Sequence, residues 1–165
     1  MFRKVLIANR GEIAARIART CRRMGIESVA IYSDADEGAW HTQCADEAHR
    51  VGEAHVTKSY LDIDAILAIA ARTGAEAIHP GYGLLSENPD FVARVEQAGL
   101  TFIGPSAESM KLMGDKAAAR AFAREAGVPV VPGSGGPIDD EEGAVAFAAD
   151  FGYPVLVKAA AGGGG

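Results

Sequence analysis

The βαβ pattern of the first thirty-two residues constrains the fold more than any other feature. Val5-Leu6-Ile7-Ala8 is a continuous apolar run of strand length. Asn9-Arg10-Gly11 then turns the chain into a helix whose Ile13, Ile17, Cys21 and Met24 share one face. Arg16, Arg19, Arg22 and Arg23 fall on the other side, Gly25 ends the helix, and Ser28 to Tyr32 reads as a second strand. Apolar strands without alternation, joined by a helix, belong to a parallel sheet covered on both faces, with right-handed crossovers. The fold class is therefore α/β.

The first turn bears on which ligand such a sheet takes. ANRGEIA carries a single glycine where the dinucleotide turn GxGxxG needs three, so the pyrophosphate fingerprint is missing. Asp34 and Asp36 follow the second strand, where a ribose-binding acid sits in dinucleotide enzymes, but acids after strands are more often turn residues. NAD binding is disfavoured on both counts.

The alternation continues along the chain. Trp40 to Ala45 reads as a short helix, and Asp62 caps a clearer one running to Thr73, with Ile63, Ile66, Leu67 and Ala70 on one face and Gly74 as its stop. Ala75 to Ile78 is a short strand leading into His79-Pro80-Gly81-Tyr82-Gly83-Leu84-Leu85-Ser86-Glu87-Asn88. This segment gathers special backbone residues with Tyr82 and Glu87 at the carboxyl end of a strand, where open α/β sheets place ligands. His79 by itself is better explained as a turn residue. Asn88-Pro89 caps a helix to Ala98, and Thr101 to Ile103 makes another strand.

Gly104-Pro105-Ser106 caps a short helix through Met113; Asp115 caps the next, which Gly127 ends. Pro129 and Pro132 frame Val130-Val131, and Gly133 to Pro137 has the composition of a boundary. Acids from Asp139 to Glu142 favour a last helix start, and Gly152 closes it. Val155-Leu156-Val157 then reads as a buried strand, followed by Lys158, three alanines and four glycines. A Walker A loop has its lysine after the glycines, so this is no P-loop. A cation at a strand end, with side-chain-free backbone beyond it, suits a polyphosphate. A flexible linker has the same glycine-rich composition.

Composition narrows the partners. Twenty-two acidic against 16 basic residues give a net charge of −6, against a grip on nucleic acid or an anionic membrane surface. No apolar run is long enough to span a bilayer, and Met1-Phe2-Arg3-Lys4 leads directly into a strand rather than a signal-peptide core; a cytoplasmic setting is expected. Cys21 and Cys44 lack histidines at metal-ligand spacing, and no metal site is expected in the chain.

Seven segments in order, ANRGEIA, KSYLDI, HPGYGLLSEN, FIGPS, MGDK, GVPVVPGS and GYPVLVKAAAGGGG, closely resemble the biotin carboxylase component of biotin-dependent carboxylases, of the acyl-CoA carboxylase α-subunit type. The resemblance covers essentially the whole chain. It implies a Rossmann-like parallel sheet, the pre-ATP-grasp domain, over residues 1–113. A linker helix over 114–132 and the incomplete beginning of an ATP-grasp lid subdomain over 133–165 would follow. It also implies that Lys116, Lys158 and Gly162, Gly163, Gly164 and Gly165 bind ATP, and that Tyr82, Gly83 and Glu87 lie near biotin.

The activity implied is carboxylation of biotin with bicarbonate and ATP by way of carboxyphosphate, with biotin borne on a carrier domain, a carboxyltransferase subunit as partner and a homodimer at full length. The magnesium, bicarbonate and catalytic residues of the family would lie beyond Gly165, so no turnover is expected from these 165 residues alone. Ala160 and Ala161 stand where many members have serine and glycine, and Leu84 where bacterial relatives have phenylalanine. Another ATP-grasp ligase, or a non-catalytic dimerisation or regulatory module using the arginine face of the first helix, stays open as an alternative.

Overall fold

The computed structural model describes residues 1–114, 116–134 and 136–157, the side chains of Lys116 and Ala117 excepted. The chain divides into two compact units, Met1–Ala107 and Glu108–Gly165.

The first unit is a five-stranded sheet, parallel throughout, in the order β3-β2-β1-β4-β5. Its strands are β1 (Lys4–Ile7), β2 (Glu27–Ser33), β3 (Glu47–Gly52), β4 (Ala77–His79) and β5 (Thr101–Phe102). Between them run α1 (Gly11–Met24), α2 (Trp40–Cys44), α3 (Ile63–Thr73) and α4 (Pro89–Gln97). The chain lays β2 and β3 on one side of β1, then crosses to place β4 on the other, which is the Rossmann-like reversal of strand order. Right-handed crossovers on either side of such a reversal send α1 and α3 to opposite faces. Accordingly the cluster beneath α1 joins Val5, Ile7, Ile13, Ala14, Ile17, Ala18, Cys21, Ile26 and Ala77, with none of the buried residues of α3 or α4. Ile66 and Ile69 of α3 and Phe91, Val92 and Val95 of α4 are fully buried elsewhere, Phe91 meeting Phe102 edge-on at 5.9 Å.

The boundary residues act as the sequence signals. Gly25 and Gly74 close α1 and α3 in the left-handed region, where glycine carries no Cβ penalty. Asp62 accepts from the Ala65 amide, and Asn88 from those of Asp90 and Phe91, at the starts of α3 and α4.

Two expectations are corrected, for Met24 and for the strand at Val155 to Val157, and one element is added to those read from the sequence. Met24 lies on the apolar side of α1 by angle, yet it is exposed, as the last helical residue before Gly25 turns the chain toward β2. Glu47–Gly52 carries no strand pattern, yet it forms β3: it is an edge strand held by backbone pairing to β2, and only Val51 in it is buried. Tyr153–Val157 forms no strand, and Leu156 and Val157 are 80% and 79% exposed. β-Branched composition alone does not hold a strand, and among the described residues none pairs with this one.

The second unit carries α5 (Ala107–Gly114), most of which lies in it, with α6 (Lys116–Glu125) and α7 (Glu141–Phe151). Gly127 ends α6 with a positive φ, and the Val128 amide returns to the Ala123 carbonyl. Arg120 of α6 donates to the carbonyls of Ser134 at 3.1 Å and Val131 at 3.2 Å, tying the segment after the helix back onto it. Asp140 caps α7 through the Gly143 amide at 2.7 Å. The division between the units falls at the start of α5, ahead of the turn-rich Gly133–Pro137 segment.

Candidate functional site at the strand-order reversal

The reversal of strand order lies between β1 and β4, the position at which parallel sheets of this order form a ligand crevice. The turn after β1 is Ala8-Asn9-Arg10; the loop after β4 is Pro80 to Asn88. The Ala8 amide donates to the His79 carbonyl at 2.9 Å, carrying the pairing of the two strands to the foot of the crevice.

Asn9 joins the two connections. The residue is 4% exposed, and its side-chain amide nitrogen donates to the carbonyls of Pro80 at 2.7 Å and Tyr82 at 2.8 Å. Its Oδ1 accepts from the Arg10 amide at 2.9 Å, so the donors and the oxygen are all engaged. Gly81 lies against it with φ +66°, and a Cβ there would come within 2.8 Å of Asn9 Nδ2. Only glycine meets both demands. His79 Nδ1 accepts from the Gly81 amide at 3.0 Å, and burial pushes its imidazole below the ordinary value, which keeps that nitrogen an acceptor near neutrality.

The rest of the loop is anchored at one point and open at others. Leu85 is buried, Ser86 donates its amide to the Gly83 carbonyl at 2.9 Å, and Leu84 holds a positive φ of 46°. Tyr82, Gly83 and Glu87 are exposed. The Tyr82 hydroxyl donates to the Glu12 carboxylate in the first turn of α1, and this pairing holds the phenol above its ordinary pKa.

Beside this loop lies an open pocket of about 200 Å³ lined by Arg10, Ser33, Asp36, Val56, Tyr60 and Leu84 among others. Asp36 accepts from Arg10 Nε at 2.7 Å, from the Tyr60 hydroxyl at 2.7 Å and from Ser33 Oγ at 3.2 Å. The Arg10 guanidinium, helped by the two hydroxyls and opposed by burial, holds the Asp36 carboxyl at about 2. Asp34 is likewise paired, with Arg50 at 2.6 and 2.9 Å. Both acids after β2 are thus occupied by the protein's own cations, where a dinucleotide enzyme would offer one to a ribose.

Of the residues singled out in the sequence, the structure brings Tyr82, Gly83 and Glu87 onto one loop at the crevice. Lys116 begins α6 in the second unit, with its side chain outside the described residues. Asp115, Lys158 and Gly162 to Gly165 also lie outside them. Asn9 and Glu12 carry no mark in the sequence beyond their place in ANRGEIA; Asn9, directly after an apolar strand, was the available signal. Among the described residues, no group of three or more His, Cys, Asp and Glu side chains converges on a metal-sized site, and no helix is long and apolar enough to cross a membrane.

Residues 1–110 match the family described as biotin carboxylase, N-terminal domain, and residues 115–165 match the carbamoyl-phosphate synthase L chain, ATP binding domain. A biotin carboxylase of Pseudomonas aeruginosa is 57% identical over 166 aligned positions, covering 100% of this chain and 37% of the relative. The chain is similar to the crystal structure of a biotin carboxylase complex from Campylobacter jejuni described as β,γ-ATP. The TM-score is 0.93 at 48% identity, over 99% of this chain and 37% of that one. It is also similar to the biotin carboxylase domain dimer of the Hydrogenobacter thermophilus 2-oxoglutarate carboxylase, a complex with ADP, its magnesium salt and bicarbonate. There the TM-score is 0.91 at 51% identity, over 99% of this chain and 36% of that one. The chain thus spans just over a third of the length of these relatives.

Proposed function

Since this chain belongs to the family of biotin carboxylase N-terminal domains, we propose that it forms the amino-terminal part of an ATP-dependent carboxylase of biotin. One observation carries the reading: the likeness to biotin carboxylases runs through 100% of the chain, and so through both compact units, at 57% identity. In this reading ATP phosphorylates bicarbonate, the carboxyphosphate breaks down to CO₂ and phosphate, and a ureido nitrogen of biotin takes up the carboxyl group.

The contribution of these residues is binding and positioning. Lys116 and Lys158 place positive charge on the nucleotide phosphates, and the backbone of Gly162 to Gly165 approaches them closely and excludes water. Tyr82 and Gly83, with Glu87 on the same loop, border the biotin pocket at the reversal of strand order. Residues 1–113 serve as the Rossmann-like base, 114–132 as a linker helix and 133–165 as the beginning of the lid subdomain. Magnesium bound with the nucleotide would neutralise phosphate charge beside the two lysines. The partners proposed are a biotin carrier domain, a carboxyltransferase subunit and a second copy of the complete carboxylase, in the cytoplasm.

The test is bicarbonate-dependent ADP release in the presence of free biotin, measured on a carboxylase whose first 165 residues are this sequence. Lys158→Ala and Lys116→Ala are each expected to raise the KM for ATP roughly ten- to hundredfold, the worth of one charge-assisted contact. An unchanged KM in both variants would remove the ATP assignment. The isolated 165 residues are expected to release no ADP in this assay, and measurable release from them would show that the reaction needs nothing further.

A further inference from the structure

The loop that carries Tyr82 is held by its backbone but leaves the ring in solvent. Asn9 fixes the carbonyls of Pro80 and Tyr82, and Leu85 is buried, yet Tyr82 is 61% exposed. A ring so exposed would sample several rotamers unless its hydroxyl were tied. The tie is Glu12, one residue into α1, whose carboxylate accepts the Tyr82 hydroxyl proton. The first turn of a helix favours a negative charge, which suits a carboxylate acceptor at this position. The start of α1 is itself joined to the loop through Asn9, three residues earlier, and so moves with it.

We infer that Glu12 is the positioning residue for Tyr82, orienting the ring across the mouth of the crevice and committing its hydroxyl proton inward. The oxygen then presents its lone pairs to the crevice, an acceptor matched to an N–H donor such as that of a ureido ring. This role rests on the reading of the loop as the border of the biotin pocket. The raised phenol pKa accords with the pairing, because a carboxylate beside the ring opposes the phenolate.

The experiment uses a carboxylase that begins with this sequence, and compares Glu12→Ala, Glu12→Gln and Tyr82→Phe. Ultraviolet difference titration against Y82F isolates the phenol of Tyr82, and steady-state kinetics give KM for biotin and for ATP. In E12A the phenol is expected to fall toward its ordinary value and KM for biotin to rise about tenfold, with KM for ATP unmoved. In E12Q, which keeps an acceptor oxygen without the charge, the phenol is expected to fall as in E12A while KM for biotin returns most of the way. A merely structural role would move both KM values together and show no such rescue.

A phenol that titrates alike in wild type, E12A and E12Q overturns the inference. If Y82F itself leaves KM for biotin unchanged while the titration shows the pair, the placing of biotin at this loop fails, and the positioning role fails with it.

Discussion

Arg10 and Asp36 meet at the carboxyl edge of the sheet as a two-point ion pair, Nε to Oδ2 at 2.7 Å with an Nη contact to Oδ1, joining the turn after β1 to the turn after β2. Tyr60 lies beneath, its ring 5.7 Å from the guanidinium carbon and its hydroxyl on the same carboxylate. The pair fills the place where a dinucleotide's ribose would be held, and it converts a lone turn acid into a clasp between two connections.

The clasp makes stability depend on acid. The Asp36 carboxyl titrates at about 2 in the folded protein, against an ordinary value of about 3.9. A depressed value means that the contribution is complete above the unfolded pKa and is lost as pH falls through the folded one. Between about pH 4 and pH 2 the wild type should therefore lose about 1 kcal/mol through this group, less than the shift alone would give because the Arg10 side chain is 51% exposed. Asp36→Asn should lower stability by a similar amount at pH 7 and flatten that acid limb. Urea midpoints followed by circular dichroism at pH 7 and pH 3 read both effects; equal pH dependence in the two proteins would remove the clasp from the acid response.

Gly81 and Gly83 separate backbone strain from crowding. Both have φ near +65°, but a Cβ at Gly81 meets the Asn9 side chain at 2.8 Å, whereas one at Gly83 meets nothing within 4 Å. Gly83→Ala should cost about 1 kcal/mol, from the left-handed backbone alone. Gly81→Ala should cost about 2–4 kcal/mol, because the buried amide must move and release two carbonyls. Denaturant unfolding of the two variants side by side checks the order, and equal losses would mean that the Asn9 side chain yields freely.

Gly52 ends β3 against backbone rather than side chain. A Cβ there would stand 1.9 Å from the Lys58 carbonyl oxygen, an atom that cannot swing aside. Gly52→Ala is expected to destabilise by about 3 kcal/mol, against about 1 kcal/mol for Gly38→Ala, which has a φ of +71° and open space. Thermal melting by circular dichroism ranks them, and a Gly52→Ala protein as stable as the Gly38→Ala one would refute the contact.

In the second unit, Arg120 carries the segment that follows α6. Arg120→Ala should speed amide exchange in a peptide spanning residues 128–134 roughly tenfold, with exchange in β1 and β4 unchanged. Exchange read by mass spectrometry decides it; unaltered rates in that peptide would assign its order to other contacts.

Much of the first unit was legible because its signals are local. An apolar strand, an amphipathic helix and a glycine stop recur with short spacing, and β1, α1, β2, α3 and α4 follow from them within a residue or two. β3 was hidden because its stability comes from a neighbour's backbone, and pairing across an edge leaves no hydrophobic period in the residues that make it. The reverse holds at Tyr153–Val157, where the strand-like residues have no strand partner among the described residues.

The sequence by itself determined the parallel α/β class, the glycine-rich loop at a strand end and, through seven ordered segments, the family. What only the tertiary structure decided is who holds that loop and which acids are free. Asn9 and Pro80 are 71 residues apart in the chain, and Tyr82 and Glu12 are 70 apart. Arg10 and Asp36 are 26 apart. No local preference encodes such meetings; they exist because β1 pairs in parallel with β4 on one side and β2 on the other, bringing distant turns to one end of the sheet.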